Sequence, residues 1–117
     1  MAADLNHYPI LTVEEEQDIS CSVEEVINVL GGKWSFHVLK ELFDGTRRFG
    51  EIRKSIKGIS PKALTDTLRH FEENGIVERE IHATVPVTVE YSLTDKGASL
   101  NLVLREMKIW GSKWSVK

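Results

Sequence analysis

The sequence predicts an α+β fold, mostly α, in which a helical body carries a single two-stranded β-hairpin. Three observations predict it. Between Arg47 and Gly97 two amphipathic segments flank a short Gly-containing turn, and two alternating runs follow them. The second amphipathic segment is bracketed by Ser60-Pro61 in front and Asn74-Gly75 behind, a helix start and stop in the expected order. The C-terminal segment repeats apolar residues at helical spacing over five turns, more apolar surface than one small domain needs for its own core. Helix, tight turn, helix and hairpin in that order outline a winged helix-turn-helix with terminal dimerisation helices.

Each element has its own signals. Thr12-Val13-Glu14-Glu15 fits a capping box, and Ser22-Val23-Glu24-Glu25 fits one better, with Ser22 as N-cap. Val23, Val26, Ile27 and Leu30 then form one apolar face, and Gly31-Gly32 ends that helix. Trp34, Val38, Leu39 and Leu42 supply the buried stripe of the next helix, which stops near Asp44-Gly45. Arg47-Arg48 fits a short strand, and Phe49, Ile52 and Ile56 mark a short third helix.

Lys57-Gly58-Ile59 is the turn, with Gly58 available for a left-handed conformation. Ser60 then caps a helix with Pro61 at its first position, and Leu64, Leu68 and Phe71 form its core stripe. Ile76 to Ile81 and Val87 to Leu93 read as antiparallel strands joined by a tip at Ala83-Thr84-Val85-Pro86. Thr94 caps the last helix, whose apolar residues are Leu100, Val103, Met107, Trp110 and Trp114, widened by Leu102, Leu104 and Ile109.

The expected organisation is an acidic N-terminal lead over residues 1–20 and one domain over residues 21–117. Within it the second helix of the pair spans about 60–74, the hairpin about 76–93 and the last helix about 95–114. A chain of 117 residues can bury a core without disulfides or metal. There is no run of about 18 apolar residues to span a membrane and no basic-then-apolar secretory leader. A lone cysteine fits a reducing, cytoplasmic location.

The formal charge of −3 conceals an asymmetry. Residues 1–32 hold seven acids and no Lys or Arg, residues 33–82 hold ten bases and eight acids, and residues 83–117 five bases and three acids. The acidity is confined to the front, and the helix pair with its hairpin is mildly basic. That balance suits a few placed phosphate and base contacts more than strong non-specific attraction.

At 100° per residue Leu64, Leu68 and Phe71 fall in one arc of their helix, with Lys62, Thr65, Asp66, Arg69 and Glu73 opposite. Ser60, Pro61, Lys62, Thr65 and Arg69 are therefore the candidate DNA-reading residues, suited to phosphates or base edges in a major groove. Arg47 and Arg48 are candidates for phosphate, and His82 and Thr84 for the backbone or minor groove at the hairpin tip. A helix with a polar outer face is also simply what a surface helix looks like. A winged-helix module that binds protein and not DNA therefore stands as the alternative, with Lys62 and Arg69 weighing against it. An enzyme is not expected. His7, His37, His70 and His82 lack metal-ligand spacing, no glycine loop cradles phosphate, and Cys21 has no His partner in the sequence. No cofactor or metal is anticipated.

The segments GGKWSFHVLKEL, RRFGEIRKSIKGISPKALTDTLRHFEENGIVERE and VPVTVEYSLTDKG, in that order, resemble the HxlR-type winged helix-turn-helix regulators, relatives of the MarR group. The resemblance spans roughly Cys21 to Trp110. It implies a small bacterial transcription factor that binds an operator in double-stranded DNA as a homodimer. It places Ser60, Pro61, Lys62, Thr65 and Arg69 on the recognition helix and His82 to Pro86 on the wing. It also implies a dimer interface of N- and C-terminal helices, here Val23 with Leu100, Val103, Met107, Trp110 and Trp114. Gly50 departs from the polar residue more usual after the Arg-Phe pair.

Many members of that family carry one cysteine ahead of the first helix, and some sense oxidants or electrophiles with it; Cys21 matches the position. A helix N-terminus favours the thiolate, whereas Asp18, Glu24 and Glu25 oppose it. Cys21 fits equally well as a small apolar staple on Val26. A regulator answering to a non-thiol small molecule is a further alternative.

Overall fold

The structure is a computed structural model that describes residues 13–115, with side chains described from residue 22. The chain divides into two compact units, Met1–Gly31 and Gly32–Lys117.

Among the described residues the first unit holds one helix, α1 (Val13–Leu30). It starts directly after Thr12, a residue that lies outside the described set, and ends where Gly31 N–H donates to the Ile27 carbonyl at 2.7 Å. The expected N-cap at Ser22 is not there. α1 runs through Ser22 and across the residue 20/21 boundary without a break, so Ser22 is a helix-interior residue. The physical reason is visible in VEEEQDISCSVEEVINVL, which contains neither Gly nor Pro. An interior Ser costs about 0.5 kcal/mol relative to Ala, whereas a second helix start would require its own unfavourable nucleus. Cys21 is thus placed within a helix and not at N′ of one. Its side chain lies outside the described residues.

The second unit contains α2 (Ser35–Phe43), β1 (Arg47–Arg48), α3 (Phe49–Ser55), α4 (Pro61–Glu73), β2 (Val77–His82), β3 (Thr88–Leu93) and α5 (Asp95–Trp114). Its sheet has three strands in the order β1-β3-β2, all antiparallel. The hairpin β2–β3 is the expected two-stranded wing, and the two-residue β1 adds a third strand to its β3 edge. The core gathers Val38, Leu39 and Leu42 from α2, Ile52 from α3, Leu64, Leu68 and Phe71 from α4, and Ile76 and Val77 from the start of the wing. Trp34 departs from the expected buried stripe. It is the N-cap residue of α2, half-buried, with the Lys33 ammonium 5.1 Å from its ring centroid.

Local chemistry sets the limits of α4. Ser60 Oγ accepts a hydrogen bond from Ala63 N–H at 3.0 Å, and Pro61 opens the helix. At the far end Gly75 takes a φ of 69°, Ile76 N–H donates to the Phe71 carbonyl at 2.8 Å and Gly75 N–H to the Glu72 carbonyl at 3.1 Å. That pair of bonds is a Schellman closure, and it needs a residue without a Cβ at its left-handed position. Gly58, at φ 87°, supplies the same freedom in the turn between α3 and α4.

Thr94 joins the two longest helices of this unit. Its hydroxyl donates to the Gly75 carbonyl at 2.5 Å and accepts from Gly97 N–H at 3.1 Å, so one side chain caps α5 and ties it to the end of α4. Lys96 Nζ reinforces the joint by donating to the Asn74 carbonyl at 2.9 Å. Along α5 only Gly97 and Leu104 are buried, while Leu102, Met107, Ile109, Trp110 and Trp114 are all more than half exposed. No helix among the described residues is long and apolar enough to cross a membrane.

Candidate nucleic-acid interface

α4 turns its apolar stripe inward completely: Leu64 and Phe71 are 0 % exposed. Ser60, Pro61, Lys62, Thr65, Asp66 and Arg69 are all exposed on the opposite side, in the arrangement the helical wheel predicts. The six residues differ in what already engages them. Ser60 is committed to Ala63, although a capping hydroxyl keeps a lone pair and the helix N-terminus still offers free amides to an anion. Lys62 Nζ is paired with Asp66 Oδ2 at 2.9 Å. Arg69 forms no ion pair among the described residues, which leaves its guanidinium fork available.

Arg47 and Arg48 are brought to the sheet by β1, opposite Tyr91 and Glu90 of β3 respectively. The Arg47 guanidinium donates to the Thr46 carbonyl at 3.1 Å. Arg48 precedes α3, and its backbone N–H donates to Glu51 Oε1 at 3.0 Å, half of a capping box. The Arg48 side chain is left projecting at the surface.

The wing is less cationic than a phosphate-binding strand pair needs. Its strands carry Glu78, Glu80 and Glu90 against one permanent cation, Arg79, and Arg79 Nε is taken by Glu72 Oε1 at 3.3 Å. His82 Nε2 lies 2.6 Å from Glu90 Oε1, so a positive charge on that ring would be matched locally. Thr84 Oγ1 donates to the Pro86 carbonyl at 2.7 Å and lies 2.9 Å from Thr88 Oγ1, organising the tip. Only the tip, where Val85 and Val87 are exposed, projects free of these carboxylates.

Sequence reasoning passed over one cluster. Arg53 and Lys54 close α3 and Lys57 begins the turn into α4, all exposed and without ion pairs among the described residues. The signal was present as RKSIK immediately before Gly58. It was masked because the helix-turn-helix pattern draws attention to the second helix. On β3 of the wing, Tyr91 has its phenol pKa raised from 10.0, chiefly by partial burial and secondly by the Glu72 carboxylate, with Arg79 opposing. Among the described residues there is no cluster of His, Cys, Asp or Glu able to hold a metal.

A short helix, a Gly turn, a capped helix with a polar outer face, and a hairpin define a winged helix-turn-helix regulator. The HxlR-like helix-turn-helix model matches residues 29–117, and the chain belongs to that family. The HTH-type transcriptional regulator YdeP of Bacillus subtilis (strain 168) is 44 % identical over 94 residues, spanning 80 % of this chain and 73 % of YdeP. The redox regulator HypR in its oxidised form superposes with a TM-score of 0.74 at 40 % identity, covering 83 % of this chain and all of HypR's. Diamide-treated YodB from B. subtilis gives 0.67 at 34 % identity, over 93 % of this chain and 100 % of YodB's. The relatives are transcriptional regulators and not enzymes, and the chain is a DNA-binding transcription regulator by family.

Proposed function

We propose that this protein binds an operator as a homodimer, laying α4 into the major groove. The observation that carries this reading is the complete division of α4 into a buried apolar stripe and an exposed face bearing Ser60, Pro61, Lys62, Thr65 and Arg69. Lys62 and Arg69 then meet base edges or phosphates, Arg47 and Arg48 meet phosphates, and His82 and Thr84 approach the duplex at the wing tip. Dimerisation uses the apolar surfaces of α1, at Val23, and of α5, at Leu100, Val103, Met107, Trp110 and Trp114. A two-fold pair sets two recognition helices about 34–36 Å apart, one turn of DNA. Fluorescence anisotropy on a palindromic promoter fragment, repeated over a range of salt, tests the reading. Saturable, sequence-selective and salt-dependent binding supports it; binding indifferent to Lys62→Ala and Arg69→Ala together overturns the assignment of α4.

Cys21 is proposed as the point of control by oxidants or electrophiles. Support comes from similarity to a redox regulator and to a protein studied after diamide treatment, together with the presence of a single thiol in the chain. Its place inside α1 removes the helix-terminus argument for a reactive thiolate, because dipole effects fade beyond the first turn. The test compares gel shifts before and after diamide or a quinone, with Cys21→Ser beside the natural protein. Equal release of DNA by both would sink the proposal.

A further inference from the structure

The end of α4, the base of the wing and the start of α5 meet at one point of the second unit, and Gly75 and Ile76 each face two ways there. Their N–H groups donate back into α4, to the Glu72 carbonyl at 3.1 Å and the Phe71 carbonyl at 2.8 Å. Their carbonyls accept from the residue that starts α5: Gly75 from the Thr94 hydroxyl at 2.5 Å, and Ile76 from the Thr94 N–H at 3.0 Å. The same hydroxyl accepts from Gly97 N–H in the first turn of α5, and Lys96 Nζ reaches the Asn74 carbonyl. The hydrogen-bonded path from α4 to α5 thus passes through two residues whose backbone groups are tied at both ends. The wing leaves and returns here as well, with Val77 paired to Leu93.

Packing seals the inner side of this joint. Phe71 is 0 % and Ile76 1 % exposed, and Gly97 is buried. The first turn of α5 lies so near the Ile76 carbonyl that a Cβ on Gly97 would overlap it. Local opening is cheapest where apolar contacts are few and backbone hydrogen bonds meet water. The half-buried Thr94 hydroxyl stands at the rim, so it can be removed while that packing stays in place.

Length turns the joint into a lever. α5 runs from Asp95 to Trp114, so its far end lies about 30 Å from Thr94. Met107, Trp110 and Trp114, the exposed apolar residues proposed to hold the dimer, occupy that far half. A tilt of about 6° at the joint displaces them by roughly 3 Å relative to α4, close to the ~3.4 Å rise of one base pair. The α4 surface reads its own half-site at any such angle, but the distance to the second half-site changes.

We infer that Thr94 is a positioning residue: by tying Gly75 and Ile76 to the first turn of α5, it fixes the separation of the two α4 helices and with it the half-site spacing that the protein accepts. This rests on the dimer and the operator binding proposed above. It adds a selectivity for spacing that is separate from selectivity for sequence, and it places that selectivity away from the DNA-facing residues.

The test reads the separation directly. Nitroxides are attached at Glu73→Cys, an exposed position near the end of α4, in a Cys21→Ser chain so that each protomer carries one thiol. Pulsed dipolar spectroscopy is expected to give one narrow distance with Thr94 in place. Thr94→Val keeps the side-chain shape without the hydroxyl and should widen the distribution by about 3 Å, the displacement that such a tilt produces. Thr94→Ser keeps the hydroxyl and should restore the narrow distance. Ile52→Val, a buried change in α3, lowers stability away from the joint and should leave the distance narrow; thermal melts of all variants compare their stability. In parallel, anisotropy uses a duplex selected from a random library by the natural protein, and copies with one central base pair added or removed. Thr94→Val should reduce the preference for the selected spacing about fivefold while leaving affinity for a single half-site unchanged. Unchanged distances in Thr94→Val, broadening shared by Ile52→Val, or an intact spacing preference would each overturn the positioning role. Absence of dipolar coupling refutes the dimer, and absence of any selected duplex refutes operator binding, each taking this inference with it. The readout that fails therefore tells these failures apart.

Discussion

Lys62 Nζ stands 2.9 Å from Asp66 Oδ2, so the first cation of the α4 reading face is held by an acid one turn along the same face. Both side chains are more than half exposed, and the pair contributes little to stability. Its consequence is for binding, because Lys62 must exchange one partner for another when it meets DNA. Asp66→Asn should therefore raise affinity for random-sequence duplex and narrow the gap between operator and random DNA. Lys62→Ala should weaken operator binding by about 1–3 kcal/mol if a bidentate base contact is lost. Anisotropy on both duplexes reads these effects, and unchanged selectivity in Asp66→Asn would count against a role for the pair.

The Ser60 cap can be tested without DNA. Ser60→Ala removes the acceptor for Ala63 N–H and should cost about 1 kcal/mol, whereas Ser60→Asp keeps an acceptor and should retain most of the stability. Urea denaturation followed by circular dichroism measures both. A midpoint for Ser60→Ala equal to that of the natural protein would contradict the capping role.

Two glycines should respond in opposite directions. A Cβ on Gly97 would overlap the Ile76 carbonyl oxygen and crowd Leu93 Cδ2, so Gly97→Ala should destabilise by about 3 kcal/mol through forced backbone movement. A Cβ on Gly50 meets nothing within 4 Å, and Gly50→Ala in α3 should stabilise by about 0.5 kcal/mol through the unfolded chain. Thermal melts compare the two directly.

Alkaline stability should follow Tyr91. Its phenol pKa is higher in the folded protein than its ordinary 10.0, first because of burial and then because of Glu72. The neutral phenol is thus favoured by folding, a contribution complete below the unfolded pKa and lost as pH rises through the folded one. Stability should decline above about pH 10, and Tyr91→Phe should lessen that decline. Spectroscopic titration at tyrosinate absorbance should show the late-ionising phenol disappear in Tyr91→Phe.

The exposed apolar run on α5 predicts an assembly. Trp110→Asp combined with Met107→Asp should shift the sedimenting species toward one chain while leaving the helical spectrum unchanged. A natural protein that sediments as one chain at micromolar concentration would rule out the dimer.

Most of the second unit was legible because its signals are local. Ser60-Pro61, Gly58, Asn74-Gly75 and Thr94 each act on neighbours within a turn, and the Leu64, Leu68 and Phe71 spacing needs no distant partner to be read. The error at Ser22 has the same origin. A capping box satisfies local criteria even inside a longer helix, and the sequence window does not weigh continuation against a fresh start.

By itself, then, the sequence determined the kind and order of the elements, the side of α4 that faces outward, and the confinement of acidity to the front of the chain. Tertiary structure alone decided that Glu90 would take His82, that Glu72 would take Arg79, that Thr94 would join the end of α4 to α5, and that Phe36 and Lys40 would meet Leu104 and Lys108 across a cleft. Those pairings close loops of chain whose ends approach only when the core has formed. No periodicity within a single segment specifies which two faces will come to lie opposite each other.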